Sequence, residues 1–291
     1  MTVFQCLPSY KPIATLKVIG SVREFGCRIL LDLEDSIQDV IDPDATIYLK
    51  EQARIDLLKI CSSLPNQQFD IRINKANTTA RADDELLLRG ISNISSIFIP
   101  KVESAAELEE FSERFDHRYK LNIIIETLNG INKLEEILNS KVAHKIEYVF
   151  FGNYDYHLDA NIYPVQEQFS RTYWDIVRPI IKQVERKQLR YGNSSYARIG
   201  DLRTLNFIVN QLNTYCKQPY AVISLHRRQT ALFNSSSYYN DDTITTTYEN
   251  EKELQNEFVH KKLKGRSFAL VDENNRIVTP HEYLLLKSRN G

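Results

Sequence analysis

The sequence lacks the features that mark several common classes of protein. No stretch approaches the roughly 18 consecutive apolar residues of a membrane-spanning helix, and residues 1–30 contain no long apolar segment typical of a signal peptide. The formal net charge is only −1, so no excess of basic residues indicates binding to nucleic acid or to an anionic membrane. We therefore expect no nucleic acid and no membrane among the partners, and we expect a cytoplasmic protein.

Cysteine is also scarce and widely scattered. No Cys-x-x-Cys pair occurs, and no histidine lies near a cysteine at the spacing of a metal site, so the pattern indicates neither a zinc centre nor a disulfide framework. The cysteines are predicted to be small core residues in a reducing compartment. They are Cys6, Cys27, Cys61 and Cys216.

A repeated pattern of apolar runs followed by helical segments is present instead. Each run ends in a cluster of polar or charged residues before a helical pattern begins, which is typical of parallel strands covered on both faces. Eight repeats in 291 residues predict an α/β fold, a (β/α)8 TIM barrel. A doubly wound open sheet is the alternative, but no glycine-rich phosphate loop follows the first strand. The predicted strands are 3–7, 28–33, 69–74, 97–99, 121–125, 148–151, 194–197 and 220–225.

The predicted connections follow from capping residues and apolar spacing. Asp44 is expected to cap a helix over 46–61, and Ser104 to cap a helix that runs to about residue 115. Residues 152–155 are predicted to be a loop. Further helices are predicted at 14–25, 83–90, 130–138, 167–189 and 201–215.

The C-terminal part lies outside the eight repeats. We divide the chain into a catalytic barrel domain, residues 1–234, and an extension, residues 235–291, that begins with a linker at 235–243. The extension is predicted to contain a charged helix at 251–263 and a hairpin formed by 267–271 and 276–278. It would serve as a lid, as an oligomerisation arm, or simply in packing.

Two carboxylates at neighbouring strand ends are the strongest candidates for chemistry. In a TIM barrel the active site lies at the C-terminal ends of the strands, where Glu126 and Asp155 follow consecutive predicted strands. Their like charges would repel unless a cation or a proton lay between them. Two hard oxygen ligands completed by water and substrate suit Mg²⁺ better than zinc, with Mn²⁺ as an alternative.

The other strand ends supply candidate substrate and catalytic groups. Arg72 is placed to bind a substrate carboxylate, and with a metal it would stabilise negative charge that develops during cleavage or formation of a carbon–carbon bond. The acidic stretch Asp32, Glu34 and Asp35 would orient Arg72 and the metal-bound water, and Lys101 is a further catalytic candidate. The remaining candidates for substrate binding are Asn74, His226, Arg227, Arg228 and Gln229.

Each of these residues also has a simpler interpretation. A single acid after a strand is more often a helix cap or a surface residue. Arg72 could close the barrel rim through a salt bridge to Asp32 or Glu34, and His226 could be a hydrogen-bonded rim residue rather than a base. The residues alone leave these alternatives open.

Six motifs in order resemble the citrate lyase beta subunit-like branch of the HpcH/HpaI aldolase superfamily. The resemblance covers about residues 4–230 and implies a TIM barrel, usually trimeric or hexameric, with Mg²⁺ at Glu126 and Asp155 and a substrate carboxylate at Arg72. It also implies a lyase that cleaves or forms carbon–carbon bonds in citryl or malyl thioesters. The motifs are Leu31-Asp-Leu-Glu-Asp-Ser36, Ile71-Arg-Ile-Asn74, Ile99-Pro-Lys-Val-Glu-Ser104, Ile124-Ile-Glu-Thr-Leu-Asn-Gly130, Phe151-Gly-Asn-Tyr-Asp155 and Leu225-His-Arg-Arg-Gln229.

The sequence departs from that family at three places, one of which is the segment after the sixth strand, where Asn153, Tyr154 and His157 replace the usual smaller residues. Many relatives carry a lid aspartate shortly before a proline, where this chain has Thr279 before Pro280. The usual His-Pro-x-Gln motif here carries Arg227 and Arg228, which could hold a phosphate or a second carboxylate. The preferred hypothesis is therefore a Mg²⁺-dependent lyase acting on a 2-oxo or hydroxycarboxylic acid that need not be a thioester. The alternatives are a phosphate-handling or hydrolytic barrel and a binding subunit without turnover.

Overall fold

Eight parallel strands close into a barrel in the order of the chain, with the last strand paired to the first. The structure is a computed structural model that describes residues 1–39, 42–115, 118–162, 165–198 and 200–234, with the strands at 270–271 and 277–278. The predicted (β/α)8 barrel is thereby confirmed. The barrel strands are β1 Thr2–Pro8, β2 Arg28–Asp32, β3 Phe69–Arg72, β4 Ile94–Ile99, β5 Lys120–Ile125, β6 Ile146–Phe151, β7 Arg190–Asn193 and β8 Ala221–Ser224.

Helices follow the strands and cover the outside of the barrel. Short 3-10 turns lie at Arg23–Phe25 and Ala143–Lys145. The described α-helices are α1 Pro12–Val22, α2 Pro43–Ser63, α3 Thr79–Leu88, α4 Ala105–Arg114, α5 Leu128–Asn132, α6 Leu134–Leu138, α7 Asn153–Asp159, α8 Arg171–Arg186, α9 Leu202–Tyr215 and α10 Arg227–Phe233.

The middle of the barrel is filled by side chains that alternate along the strands. Phe4, Phe98 and Phe150 pack against one another with ring centroids 5.0–5.9 Å apart, and Leu30 and Ile124 complete the same buried cluster. The residues between them point outward and join the larger core beneath the helices. Because side chains fill the middle of the barrel, a substrate can bind only at one of its ends.

A buried polar network closes the N-terminal end of the barrel. Arg28 Nε donates to Asp70 Oδ2 at 2.9 Å, and Arg28 Nη1 contacts Glu147 Oε1 at 2.8 Å. Asp70 also accepts a hydrogen bond from Ser96, which in turn accepts one from Asn122. Residues at this end of a TIM barrel generally serve stability rather than chemistry.

The seventh strand lies four residues earlier than the predicted 194–197. It spans Arg190–Asn193 and contains Gly192, where an added Cβ would lie 2.3 Å from Phe150 Cδ1. A strand with two polar residues and a glycine gives little apolar pattern, yet here glycine is needed because the Phe150 ring occupies the space beside it. The prediction was wrong because this packing is not visible in the local sequence.

Several predicted helices and loops also differ from the structure in their bounds, caps or continuity. Asp42, rather than Asp44, caps α2 by accepting from Ala45 N, because the following Pro43 occupies the first turn where no N–H is needed. The predicted loop at 152–155 is the start of α7. The predicted helix at 130–138 is divided into α5 and α6.

Part of the predicted C-terminal hairpin is described. The strands β9 Leu270–Val271 and β10 Ile277–Val278 pair antiparallel. The linker at 235–243, the charged helix at 251–263 and Thr279 lie outside the described residues. In the part of the chain that the structure describes, no helix is both long and apolar enough to cross a membrane.

Candidate active site

The acidic stretch after β2 forms a short loop, residues 33–36, here called the acid loop. Asp32 precedes it and is fully buried, and its carboxylate accepts hydrogen bonds from the backbone N–H groups of Glu34 and Ser36 at 2.9 Å. These two bonds fold the loop back over the end of β2. The Glu34 and Asp35 side chains are thereby brought to the mouth of the barrel.

Arg72, the last residue of β3, is bound on one edge by Asp32. Its Nε and Nη2 atoms donate to the two Asp32 carboxylate oxygens at 2.7 and 2.6 Å, while Nη1 lies 3.1 Å from Glu34 and 3.5 Å from Asp35. Burial opposes the charge on Arg72, but the surrounding carboxylates outweigh it and raise the Arg72 pKa. Burial raises the Asp32 pKa, yet Arg72 lowers it more, so that the Asp32 pKa lies below its usual value. The salt bridges from Arg72 to Asp32 and Glu34 are therefore present, while the role of Arg72 in substrate binding stays a prediction.

Lys101 connects the acid loop to the two predicted metal ligands. Its ammonium Nζ lies 2.7 Å from Glu34 Oε1 and 3.0 Å from Asp155 Oδ1, and its backbone N–H donates to Glu126 Oε1 at 2.9 Å. The residue has a φ of 53°, a left-handed conformation that a side chain disfavours. Such strain at a lysine that contacts four carboxylates, including Asp35 at 3.5 Å, is typical of a functional position.

Glu126 follows β5 and lies against the backbone that follows β6. An added Cβ at Gly152 would lie 2.1 Å from Glu126 Oε2, so only glycine leaves room for this carboxylate. Burial, and next the nearby Asp155 carboxylate, raise the pKa of Glu126 well above its usual value. The sequence analysis placed Glu126 correctly at a strand end but did not identify Gly152, which precedes α7.

Asp155 lies in the first turn of α7, one turn beyond the end of β6. The position is consistent with the prediction that it stands beside Glu126, because β5 and β6 are hydrogen-bonded neighbours and both carboxylates contact Lys101. The helix position of Asp155 was not predicted.

Negative charge exceeds positive charge at this end of the barrel. Arg72 and Lys101 contact the five carboxylates of the site. A third cation, the partly buried ammonium of Lys50, binds the backbone of the acid loop. Burial, followed by repulsion from Asp35, raises the pKa of Glu34 to about 7. With every group ionised, the site would keep two negative charges that a divalent cation could neutralise. The carboxylates are those of Asp32, Glu34, Asp35, Glu126 and Asp155.

These donors fit a hard divalent cation with few protein ligands. Glu126 and Asp155 offer carboxylate oxygens, the donors preferred by Mg²⁺, which usually keeps several water ligands. Among the described residues, no group of three or more His, Cys, Asp or Glu side chains is arranged to hold a metal. A cation here would therefore depend on the two carboxylates together with water and substrate.

A partly buried lysine for which the sequence carries no distinctive pattern supports the acid loop from below. Lys50, on α2, donates to the backbone carbonyls of Leu33 and Glu34, each at 3.0 Å, and to Asn74 Oδ1. The amide of Asn74 in turn donates to Leu33 O at 3.0 Å and to Asp84 Oδ2 at 2.7 Å. Asn74 is thus engaged by protein groups on every side of its amide, while its predicted role in substrate binding stays a prediction.

The residues after β8 lie in a different environment from the acidic cluster. His226 caps α10 by accepting from Arg228 N at 3.2 Å, and Arg227 Nη2 bonds Glu24 Oε1 at 3.0 Å with both side chains exposed. Gln229 is fully buried and bonds the backbone of Leu225 and Tyr196. His226 is therefore a hydrogen-bonded residue in this structure, while the substrate-binding roles predicted for His226, Arg227, Arg228 and Gln229 stay predictions.

Cys6 is a further residue whose position near the site the sequence did not predict. It extends inward from β1 next to the apolar cluster of the barrel. Burial, and next the Asp32 carboxylate, raise the pKa of the Cys6 thiol to about 12. Cys6 therefore remains a neutral thiol at the floor of the site.

Comparisons with known proteins agree with this fold. A sequence model of the HpcH/HpaI aldolase/citrate lyase family matches residues 17–188, whereas no curated protein sequence matches the chain. Among solved structures, RipC from Yersinia pestis has a TM-score of 0.62 at 20% identity and covers 80% of this chain and 93% of its own. A citrate lyase beta subunit from M. tuberculosis, complexed with oxaloacetate and magnesium, has a TM-score of 0.63 at 18% identity over 80% of this chain and 94% of its own.

A third similar structure covers nearly the entire sequence. The Haloferax volcanii malate synthase, in a ternary complex with pyruvate and acetyl-CoA, has a TM-score of 0.72 at 14% identity and covers 99% of this chain and 89% of its own. At these identities the structural matches establish the fold, and the sequence match over more than half of the chain establishes the family. The chain therefore belongs to the HpcH/HpaI aldolase/citrate lyase family.

Proposed function

We propose that the chain is a divalent-cation-dependent carbon–carbon lyase, or catalyses the reverse condensation, on a 2-oxo or hydroxycarboxylic acid. The observation that carries this proposal is the buried excess of carboxylate around Glu126 and Asp155, beside one guanidinium and one ammonium group. This arrangement could bind a cation and an anionic substrate side by side. Membership of a family of aldolases and citrate lyases supports the reaction class.

The residues divide the task between them. Glu126 and Asp155 would hold Mg²⁺ or Mn²⁺, which when bound would act as a Lewis acid toward a substrate oxygen. Asp32 occupies the Nε and Nη2 edge of Arg72, so a substrate carboxylate would approach at Nη1, beside Glu34 and Asp35. The Lys101 ammonium would stabilise negative charge on the substrate as bonds rearrange.

Two structural neighbours support the choice of substrate class by analogy. The M. tuberculosis protein binds oxaloacetate and magnesium, and the Haloferax enzyme binds pyruvate and acetyl-CoA. We propose a small carboxylic acid of this kind as the substrate, and a homo-oligomeric enzyme. A thioester partner does not follow, because the motif after β8 carries Arg227 and Arg228 instead of the usual His-Pro-x-Gln pattern.

Thermal unfolding with added ligands tests the proposal. Mg²⁺ should raise the melting temperature, and oxaloacetate or pyruvate should raise it further only when Mg²⁺ is present. Glu126→Gln and Asp155→Asn should abolish both effects, whereas Glu136→Gln, at an exposed position on α6, should retain them. If Glu126→Gln keeps the wild-type Mg²⁺ affinity in calorimetry, the assignment of the cation site is wrong.

Binding without turnover is the second candidate, favoured by Thr279 at the position where many relatives carry a lid aspartate. Under that alternative, Mg²⁺ and oxaloacetate would stabilise the wild-type protein, yet no carbon–carbon bond would be cleaved or formed. Mass spectrometry of the reaction mixture distinguishes the two. Appearance of cleavage or condensation products supports the enzyme, and unchanged ligand over many hours supports the binding subunit.

A further inference from the structure

Lys50 is a partly buried lysine, and its ammonium forms no ion pair with a carboxylate among the described residues. Its three contacts are to the carbonyl oxygens of Leu33 and Glu34 and to Asn74 Oδ1, which uses all three of its N–H donors. Burial lowers the Lys50 pKa, although Glu34, Asp32 and other nearby carboxylates oppose this effect. All three N–H donors of Lys50 therefore bind the acid loop or Asn74. The lysine is placed to hold that loop.

The two carbonyls that Lys50 binds belong to the residues that shape the acid loop. Leu33 N donates to Arg72 O and Ile37 N donates to Glu34 O, so the loop is tied to β3 and to its own turn. On one side of the loop, the Glu34 and Asp35 side chains contact Arg72 and Lys101. Lys50 lies on the other side and fixes the backbone from which those side chains extend.

A chain of buried hydrogen bonds anchors Lys50 to the helical layer. Asn74 N and Nδ2 both donate to Asp84 Oδ2, and Arg54 Nε donates to Asp84 Oδ1 at 2.8 Å. Asp84 is fully buried on α3, and Arg54 lies one turn beyond Lys50 on α2. The acid loop is therefore attached to two helices through Lys50 and Asn74 together.

We infer that Lys50 is a positioning residue, which aims the Glu34 and Asp35 carboxylates at Arg72 and Lys101 by holding the acid loop backbone from below. The inference rests on the proposed function, because the two cations serve the reaction proposed above. Lys50 itself touches neither substrate nor cation, and it acts through the loop. Loss of its ammonium would remove one of the two hydrogen bonds that each of the Leu33 and Glu34 carbonyls accepts, and would let the loop move away from Arg72.

Hydrogen exchange measured by mass spectrometry tests the positioning directly, without any ligand. Lys50→Met should accelerate exchange of the amides of residues 33–37 by about tenfold, while exchange in α8 and α9 remains unchanged. Lys59→Met is the matched control, because Lys59 is an exposed lysine on the same helix that pairs with Asp56. Lys50→Arg, which retains charge and donors, should restore part of the protection. Equal exchange of residues 33–37 in Lys50→Met and Lys59→Met would overturn the inference.

A second measurement separates positioning from general destabilisation. Lys50→Met should weaken the apparent affinity for oxaloacetate with Mg²⁺ by about tenfold. Leu57→Ala removes a buried side chain of the same helix, so it should lower the melting temperature with little change in that affinity. Should Lys50→Met fail to fold, Lys50→Gln, which also removes the charge but keeps a polar side chain, gives the same comparison. If wild-type protein shows no response to Mg²⁺ and oxaloacetate, the proposed function fails while the exchange result still decides the role of Lys50.

Discussion

Gly152 and Glu126 are adjacent in space although 26 positions separate them in the chain. Polar residues at predicted strand ends could be found in the sequence, and for this reason Asp32, Arg72, Lys101 and Glu126 were singled out. Gly152 and Lys50 could not be found in this way, because their importance depends on contacts that form only in the folded chain. A glycine before a helix or a lysine on a helix is common, and neither carries a distinctive local pattern.

Replacing Gly152 by alanine should disrupt the site without a change in charge. The new Cβ would overlap the Glu126 carboxylate, so we expect a loss of stability of about 1–3 kcal/mol and loss of Mg²⁺-dependent stabilisation. Urea unfolding and thermal shifts measure both. Gly20→Ala is the control, because nothing lies within 4 Å of its added Cβ in α1, and it should be neutral or slightly stabilising. A Gly152→Ala protein with wild-type Mg²⁺ affinity would contradict this account of the pocket.

Removing the ammonium of Lys101 should tighten the binding of a cation. The ammonium lies 3.0 Å from Asp155 Oδ1 and so repels any cation held by that carboxylate. For Lys101→Met we expect an Mg²⁺ affinity at least about threefold higher in calorimetry, together with loss of turnover. Lys59→Met should leave the Mg²⁺ affinity unchanged. Weaker Mg²⁺ binding in Lys101→Met would show that the lysine supports the cation site rather than opposing it.

At the scale of elements, the acid loop shows where local patterns suffice and where they fail. The apolar run before Asp32 predicted β2, and the acids after it predicted a functional loop, because polar residues that follow a buried strand lie at the mouth of the barrel. In β7 the same logic misplaced the strand, because Arg190–Asn193 carries no apolar run and its fit depends on Gly192 packing against Phe150. Short strands of mixed polarity are specified by their neighbours in the barrel rather than by their own residues.

The acid loop should make the stability of the metal-free protein depend on pH. The Glu34 pKa is about 7 in the folded protein, above its ordinary value of 4.5, so the folded state binds this proton more tightly than the unfolded state. Its stabilising contribution is complete below pH 4.5 and is lost as the pH rises through 7. In urea unfolding with a chelator, wild type should lose stability relative to Glu34→Gln between these values. If wild type instead gains stability relative to Glu34→Gln as the pH rises, the Glu34 pKa is not raised in the folded protein.

At the scale of the whole molecule, the two ends of the barrel have different tasks. The C-terminal end holds an excess of carboxylates around Arg72 and Lys101, whereas the N-terminal end holds a hydrogen-bonded network in which Asp70 is paired with Arg28. The sequence predicted the first end because acids followed apolar runs. It did not predict the second, because Arg28 and Asp70 lie within strands and their pairing depends on the closure of the barrel.

Breaking the N-terminal network should affect stability alone. Asp70→Asn removes the buried partner of Arg28 and should destabilise the fold by about 2–4 kcal/mol in urea unfolding. The apolar layer of Phe4, Phe98 and Phe150 separates this position from the acidic cluster. The Mg²⁺ and oxaloacetate affinities should therefore equal those of wild type below the unfolding transition. A marked fall in affinity would show that the two ends are coupled.

The left-handed backbone of Lys101 implies a trade-off that evolution or a protein engineer would meet at this position. Glycine adopts a φ of 53° without steric cost, so Lys101→Gly would relax the chain and keep the N–H that binds Glu126, while deleting the ammonium. The same change would remove the positive charge that Lys101 places among Glu34, Asp35 and Asp155, so repulsion between these carboxylates would offset the gain in the backbone. A lysine is thus favoured at this position by its charge and disfavoured by its backbone conformation.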